Sequence, residues 1–219
     1  MTAEATLRMD RMYRYQRHIY DLSRKFYLLG RDRLVRELAP GSGARICEVG
    51  CGTGRNLVAL ARRYPDAEIL GIDASNQMLK TARATIARAG LAGRIRIARC
   101  LAEELDPAAT FGLAAPFDAV VFSYTLSMIP DWGRAVERAV EVLKPAGVLA
   151  VVDFSEQRGL PEWFQTVLRG WLALFHVTPR AGLPDYLRDL ARRERGSLMV
   201  EPLYGDYACL MRYRRPSVL

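Results

Sequence analysis

The chain has 219 residues, 50% hydrophobic and 26% charged, with a formal net charge of +8. That length suits one domain with a well-buried core, and the composition excludes disordered and fibrous classes. No apolar run approaches the roughly 18 residues of a membrane-crossing helix, and the charged N-terminus (MTAEATLRMDRMYRYQRHIYD) has no apolar signal region, so a cytoplasmic location is expected. Cys47, Cys51, Cys100 and Cys209 form no CxxC pair and only two histidines are present, so neither a disulfide framework nor a metal site is expected.

In chain order, basic charge gathers first. Residues 1–36 hold nine basic and four acidic side chains. Such a surface attracts an acidic partner: nucleic acid, anionic lipid or an acidic small molecule. Residues 9–37 read as helix, broken near Gly30. At 100° per residue, Met12, Tyr15, Ile19, Leu22 and Phe26 fall on one stripe, with Arg14, Arg17, Arg24, Lys25 and Arg31 opposite. Beyond Pro40, strand patterns at 45–49, 67–72, 95–100, 117–123 and 147–154 alternate with helical patterns at 56–63, 75–89 and 132–143. Ser75 is the expected N-cap of the second of these helices, and Lys144-Pro145 ends the third. The alternation predicts an α/β fold with a mostly parallel sheet covered on both faces. Helical stretches at 161–175 and 184–194 follow. Strands near 198–203 and 207–213, joined by a tight turn, predict an antiparallel hairpin at the sheet edge. The organisation expected is a single domain, with residues 1–40 as a helical extension or lid and 41–219 as the core.

The strongest chemical signal is Glu48-Val49-Gly50-Cys51-Gly52-Thr53-Gly54, between a predicted strand and a predicted helix. Glycines there permit a tight turn and close approach of a ligand to the backbone. A dinucleotide fingerprint GxGxxG would place its last glycine at position 55, which is Arg55, and no GK[ST] of a phosphate-binding loop is present. The acid at the strand end, Glu48, matches a ligand carrying a sulfonium and an ammonium better than a pyrophosphate, which prefers a bare helix N-terminus. Asp73, at the end of the second strand, is placed to accept hydrogen bonds from both hydroxyls of a ribose.

These segments resemble the motifs of the class I S-adenosylmethionine-dependent methyltransferases over nearly the whole chain. The glycine loop is similar to the first motif. Asp73-Ala74-Ser75 with Met78 is similar to the second, which implies that Asp73 holds ribose and Met78 packs on adenine. Ala102-Glu103-Glu104-Leu105 is similar to the third, which implies a backbone contact from Ala102 to the adenine edge. Phe117-Asp118 and Ser123-Tyr124 resemble the fourth, and Lys144-Pro145-Ala146-Gly147 the usual KPGG turn. The fold implied is a Rossmann-like, seven-stranded sheet with one antiparallel strand. The cofactor implied is S-adenosylmethionine, with S-adenosylhomocysteine as product.

The N-terminal run from Met12 to Asp32, the segment from Ser123 to Trp132, and Phe175-His176-Val177 resemble the betaine-lipid N-methyltransferases. That resemblance implies three successive methyl transfers to the amine of diacylglycerylhomoserine, and a separate enzyme that supplies this lipid. The acceptor would lie at an anionic membrane surface, with the protein peripheral at the inner face. Basic N-terminal residues suit that surface at about 1 kcal/mol each, and the apolar stretch 163–175 with two tryptophans suits an interfacial helix or an acyl-chain lid.

Amine methylation needs a free lone pair, so a group that removes a proton or orients the neutral amine is expected. Tyr124 lies at the C-terminal end of the fourth strand, where ligands bind in such sheets. Tyr20 and Tyr27 lie seven apart on one helical face, placed to close over the cofactor. Tyrosine faces also hold the cation that forms. The expected set is Tyr20 and Tyr124 as orienting groups, His18 or His176 as proton acceptor, and Arg31 paired with a carboxylate of cofactor or homoserine. Competing readings are a small-amine or phospho-base acceptor and, for the +8 charge, RNA. No RNA-binding appendage or Asn/Asp-Pro-Pro-Tyr sequence accompanies the fourth motif, so no nucleic-acid partner is expected.

Overall fold

The computed structural model describes residues 28–175 and 177–217. Its centre is a seven-stranded sheet in the order β3-β2-β1-β4-β5-β7-β6. The strands are β1 (Arg45–Val49), β2 (Glu68–Asp73), β3 (Ile95–Arg99), β4 (Phe117–Ser123), β5 (Leu143–Phe154), β6 (Ser197–Leu203) and β7 (Ala208–Arg214). The pairs among β1 to β5 are parallel, whereas β7 runs antiparallel to both β5 and β6. The mostly parallel sheet expected from the alternation is observed, and so is the Rossmann-like, seven-stranded order that the resemblance implies. The hairpin is also present, but β7 sits inside the sheet between β5 and β6, and β6 forms the edge.

The helices are α1 (Arg31–Glu37), α2 (Arg55–Arg63), α3 (Asn76–Arg88), α4 (Pro107–Phe111), α5 (Trp132–Glu141), α6 (Glu162–Leu174) and α7 (Leu183–Arg193). Central strands are apolar on both faces because helices cover both. Ile46, Ile69, Val121 and Val152 pack against α1, α2, α3 and α6. Cys47, Val49, Leu70, Ile72, Phe122 and Val151 pack against α4, α5 and α7 on the other side. Cys47 on β1 and Cys51 just beyond it are free and buried and behave as small hydrophobes.

Three boundaries differ from the periodicity. β5 begins at Leu143 rather than 147, because Lys144-Pro145-Ala146-Gly147 stays in the sheet as a bulge, with Ala146 at φ 60° and a register shift opposite Phe117 and Ala119. α4 was invisible to pattern reading: it is five residues long, and Asp106 nucleates it by accepting from the Ala108 and Ala109 N–H groups at 3.0 and 2.8 Å. The break near Gly30 is where α1 starts, with Gly30 at φ 85°. The stripe expected over residues 9–27 lies outside the described residues.

Candidate active site

The C-terminal ends of β1, β2 and β4 open into a cleft, the place where open α/β sheets bind their ligands. Its floor is the glycine loop. Gly50 has φ 69°, and a Cβ there would lie 2.2 Å from the Thr125 methyl, so only glycine lets the β1 and β4 ends approach this closely. Gly52, at φ 53°, donates its N–H to Asp73 Oδ2 at 2.8 Å. Asp73 Oδ1 accepts from the Ser75 N–H at 2.8 Å, and the Ser75 hydroxyl caps α3 through the Met78 N–H. One carboxylate thus ties the β1 loop to the start of α3, and it still faces the cleft.

Of the residues expected at the cofactor, Gly50, Gly52, Asp73, Ala74, Met78, Ala102 and Glu103 line this cleft together. Four others do not. Gly54, at φ 77°, faces Ala82, whose Cα lies 3.3 Å from where a Cβ would be, so this glycine serves the packing of α2 on α3. Cys51 turns into the core. Glu48 is buried beneath the loop, where its carboxylate accepts from the Asn56 side-chain amide at 2.7 Å. Ser123 is buried and outside the lining. Arg31 also lies off the lining, but its positive charge acts on the Tyr124 hydroxyl. Pattern reading missed Cys100 and Leu101, which form the wall beside Ala102, and Thr125, Met128, Ile129 and Pro130, which form the wall opposite.

Tyr124 lines the cleft in a left-handed conformation, φ 55°, which is uncommon for an aromatic residue and marks strain at a site. Its ring meets Phe154 edge-on at 4.6 Å, and its hydroxyl donates to the Leu29 carbonyl at 2.5 Å. Burial pushes its pKa well above the ordinary tyrosine value, so it stays neutral. The hydroxyl expected to orient an acceptor therefore holds the Leu29 carbonyl just ahead of α1. Tyr124→Phe is expected to cost about 1 kcal/mol in chemical unfolding while leaving S-adenosylhomocysteine affinity unchanged. A large loss of turnover with unchanged stability would instead place the hydroxyl on the acceptor. His18, Tyr20, Tyr27 and His176, expected as partners of Tyr124, lie outside the described residues.

The wall formed by residues 125–130 is held from outside. Arg180 donates from Nε to the Leu126 carbonyl at 3.1 Å and from Nη2 to the Ile129 carbonyl at 2.8 Å. The Thr178 N–H donates to the Ser127 carbonyl at 3.0 Å. Asp153, buried at the end of β5, accepts from the Ser127 N–H at 3.1 Å and the Phe154 N–H at 2.8 Å. Burial raises the Asp153 pKa to about 6 against these hydrogen bonds. An acid closing the apolar strand run GVLAVVDF was a visible signal for Asp153, whereas nothing local marks Arg180.

The cleft lies at the C-terminal edge of the sheet, with bare glycines at the β1 turn and an acid at the β2 end, where open α/β sheets bind nucleotide-like ligands, and this placement is the one that the resemblance to the class I S-adenosylmethionine-dependent methyltransferases implies. The donor set fits that cofactor: Asp73 offers acceptors for ribose, Gly50 and Gly52 leave room beside the backbone, and Met78 and Leu101 offer apolar surface for adenine. Residues 46–147 match the family described as a methyltransferase domain. The chain is 32% identical to the ubiquinone/menaquinone biosynthesis C-methyltransferase UbiE of Syntrophotalea carbinolica, over 74% of this chain and 66% of that protein. It is 36% identical to trans-aconitate 2-methyltransferase of Methylobacterium radiotolerans, over 48% of this chain and 35% of that one. The fold is similar to the O-methyltransferase family 2 protein of Planctomyces limnophilus, with a TM-score of 0.67, 22% identity, and coverage of 90% of this chain and 61% of that chain. The chain thus spans from about a third to just under two thirds of these proteins. Residues 46–147 thus carry a methyltransferase domain, and that domain and the fold imply S-adenosylmethionine as the cofactor.

Proposed function

We propose that this methyltransferase acts on nitrogen, and that its acceptor is the amine of a lipid headgroup, diacylglycerylhomoserine, converted to the trimethyl betaine lipid by three transfers. The observation that carries this reading is the charge of the cleft. Among the described lining residues two are acidic, Asp73 and Glu103, and none is basic. An anionic acceptor is repelled by that field, whereas an amine that becomes a permanent cation is held by it. The resemblance of the N-terminal run to the betaine-lipid enzymes supports the same acceptor. So does the apolar stretch 163–175, now seen as α6.

When bound, S-adenosylmethionine supplies an electrophilic methyl on a sulfonium. The protein contributes position and dryness. Asp73 would hold the ribose and fix the glycine loop at once. The Met128–Pro130 wall, braced by Arg180 and Asp153, fixes the width of the cleft. Its apolar surface desolvates an entering ammonium and lowers its pKa, while Asp73 and Glu103 act the other way, so a proton acceptor has to complete the release of the lone pair. With His18 or His176 as proton acceptor, and with a separate enzyme making the lipid, the scheme is complete at the inner membrane face.

The test is methylation by purified protein with labelled S-adenosylmethionine and vesicles containing diacylglycerylhomoserine, resolving mono-, di- and trimethyl products. Label is expected in the trimethyl lipid, with kcat/KM rising about tenfold per pH unit below the amine pKa. Bound cofactor with no labelled lipid, but label in a carbon or oxygen acceptor, would overturn the nitrogen assignment. Transfer to carbon is the reaction named for the Syntrophotalea protein.

A further inference from the structure

Six large hydrophobic side chains are exposed among the described residues: Leu29, Trp163, Val167, Leu174, Met199 and Tyr204. The three most exposed, at 64–70%, lie on α6. Trp163, Val167, Gly170 and Leu174 follow the spacing i, i+4, i+7, i+11, so they form one stripe within about 60° of arc. This is a second apolar face, separate from the one that buries Leu168 and Leu172. Two more of the six join it. A Cβ on Gly30, next to Leu29, would lie 3.9 Å from the Tyr204 ring. The turn after Tyr204 packs on Gly159 and Leu160, just ahead of α6. Five of the six exposed hydrophobics therefore share one rim, and that rim borders the cleft, because the Leu29 carbonyl is held by Tyr124.

We infer that this rim docks on a bilayer containing anionic lipid, with the α6 stripe inserted at the headgroup level and the cleft mouth facing the surface. The inference rests on the lipid acceptor proposed above. Tryptophan beside aliphatic side chains suits the interfacial layer. Charge beside the stripe is balanced, with Arg158 and Arg169 against Glu156, Glu162 and Asp206. The basic excess lies in the sequence before Leu28, where residues 1–27 carry six basic against three acidic side chains. An acceptor lipid then needs to lift only its headgroup into the cleft.

The experiment is flotation of the full chain with vesicles of phosphatidylcholine alone or with phosphatidylglycerol, comparing the wild type with the triple variant Trp163→Gln, Val167→Gln, Leu174→Gln. All three side chains are exposed, so an unchanged melting temperature and S-adenosylhomocysteine affinity serve as controls. The wild type is expected to partition onto the anionic vesicles, and the triple variant about tenfold or more weakly. The variant is also expected to methylate a short-chain, water-soluble amine acceptor at the wild-type rate while failing on vesicle lipid. Equal partitioning of the two proteins would overturn the docking surface even if amine lipid is methylated. A dimer of the wild type that the triple variant abolishes, without vesicle binding by either, would assign the rim to a second copy of the chain and overturn it too. Docking through the stripe without methylation of any amine would leave the surface standing and remove the acceptor.

Discussion

Asp73→Ala is expected to weaken S-adenosylhomocysteine binding by about two orders of magnitude, read by calorimetry, because it removes two hydrogen bonds to a charged acceptor at roughly 1.5–3 kcal/mol each. The loss has two sources in one side chain. The carboxylate faces the cleft where a ribose would sit, and it pins the Gly52 and Ser75 N–H groups at 2.8 Å each. Asp73→Asn should not rescue. Each oxygen already meets a backbone N–H, so an amide nitrogen at either position confronts a donor with a donor. The asparagine variant is therefore expected to bind about as weakly as alanine and to be less stable than wild type by about 1–3 kcal/mol. Wild-type affinity in both variants would mean that the cofactor lies outside this cleft.

The same residue marks how far pattern reading reaches. Asp73 was legible because its role follows from position alone: an acid at the end of a β2 run, beyond a glycine loop. Met78 and Ala102 are implied only by the motif resemblance, and they line the cleft. Gly54 was misread because the reason for a glycine lies in its neighbour. Gly50 faces Thr125 across the cleft, whereas Gly54 faces Ala82 across a helix contact, and both share a left-handed φ. Glu48, expected at the ligand, lies under the loop, where the side-chain amide of Asn56, the second residue of α2, donates to its carboxylate. Tyr124 was placed correctly at the end of β4. Its positive φ sends the hydroxyl to Leu29, and no periodicity reports a φ.

The cleft wall was the least legible part, for a reason of contact order. Its geometry depends on pairs such as 127 with 153 and 129 with 180, which are separated by 26 and 51 residues. Each pair joins a side chain to a backbone group, so the residue at the receiving end leaves no sequence signature. Arg180 stands a few residues beyond α6, and the wall it holds is part of the cleft. The exposed helix and the cleft are thus joined by one short segment, through Thr178 and Arg180.

Asp153 gives the second large effect, and its sign is fixed by burial. Its carboxyl is moved from an ordinary 3.8 to about 6, chiefly by burial, with the Phe154 and Ser127 hydrogen bonds opposing. A carboxyl whose pKa is raised in the folded state favours folding while protonated. That contribution is complete below pH 3.8 and is lost as pH rises through about 6. The full difference corresponds to about 3 kcal/mol. Asp153→Asn removes the titration but keeps one oxygen for one of the two N–H donors, a loss of about 1–3 kcal/mol that does not vary with pH. The difference in unfolding free energy between wild type and Asp153→Asn, measured by urea titration, is therefore expected to shift by about 2 kcal/mol toward the variant between pH 4 and 7.5. A flat difference would mean that Asp153 ionises normally and that the Ser127 N–H, and with it the cleft wall, is held by an ordinary surface-like carboxylate.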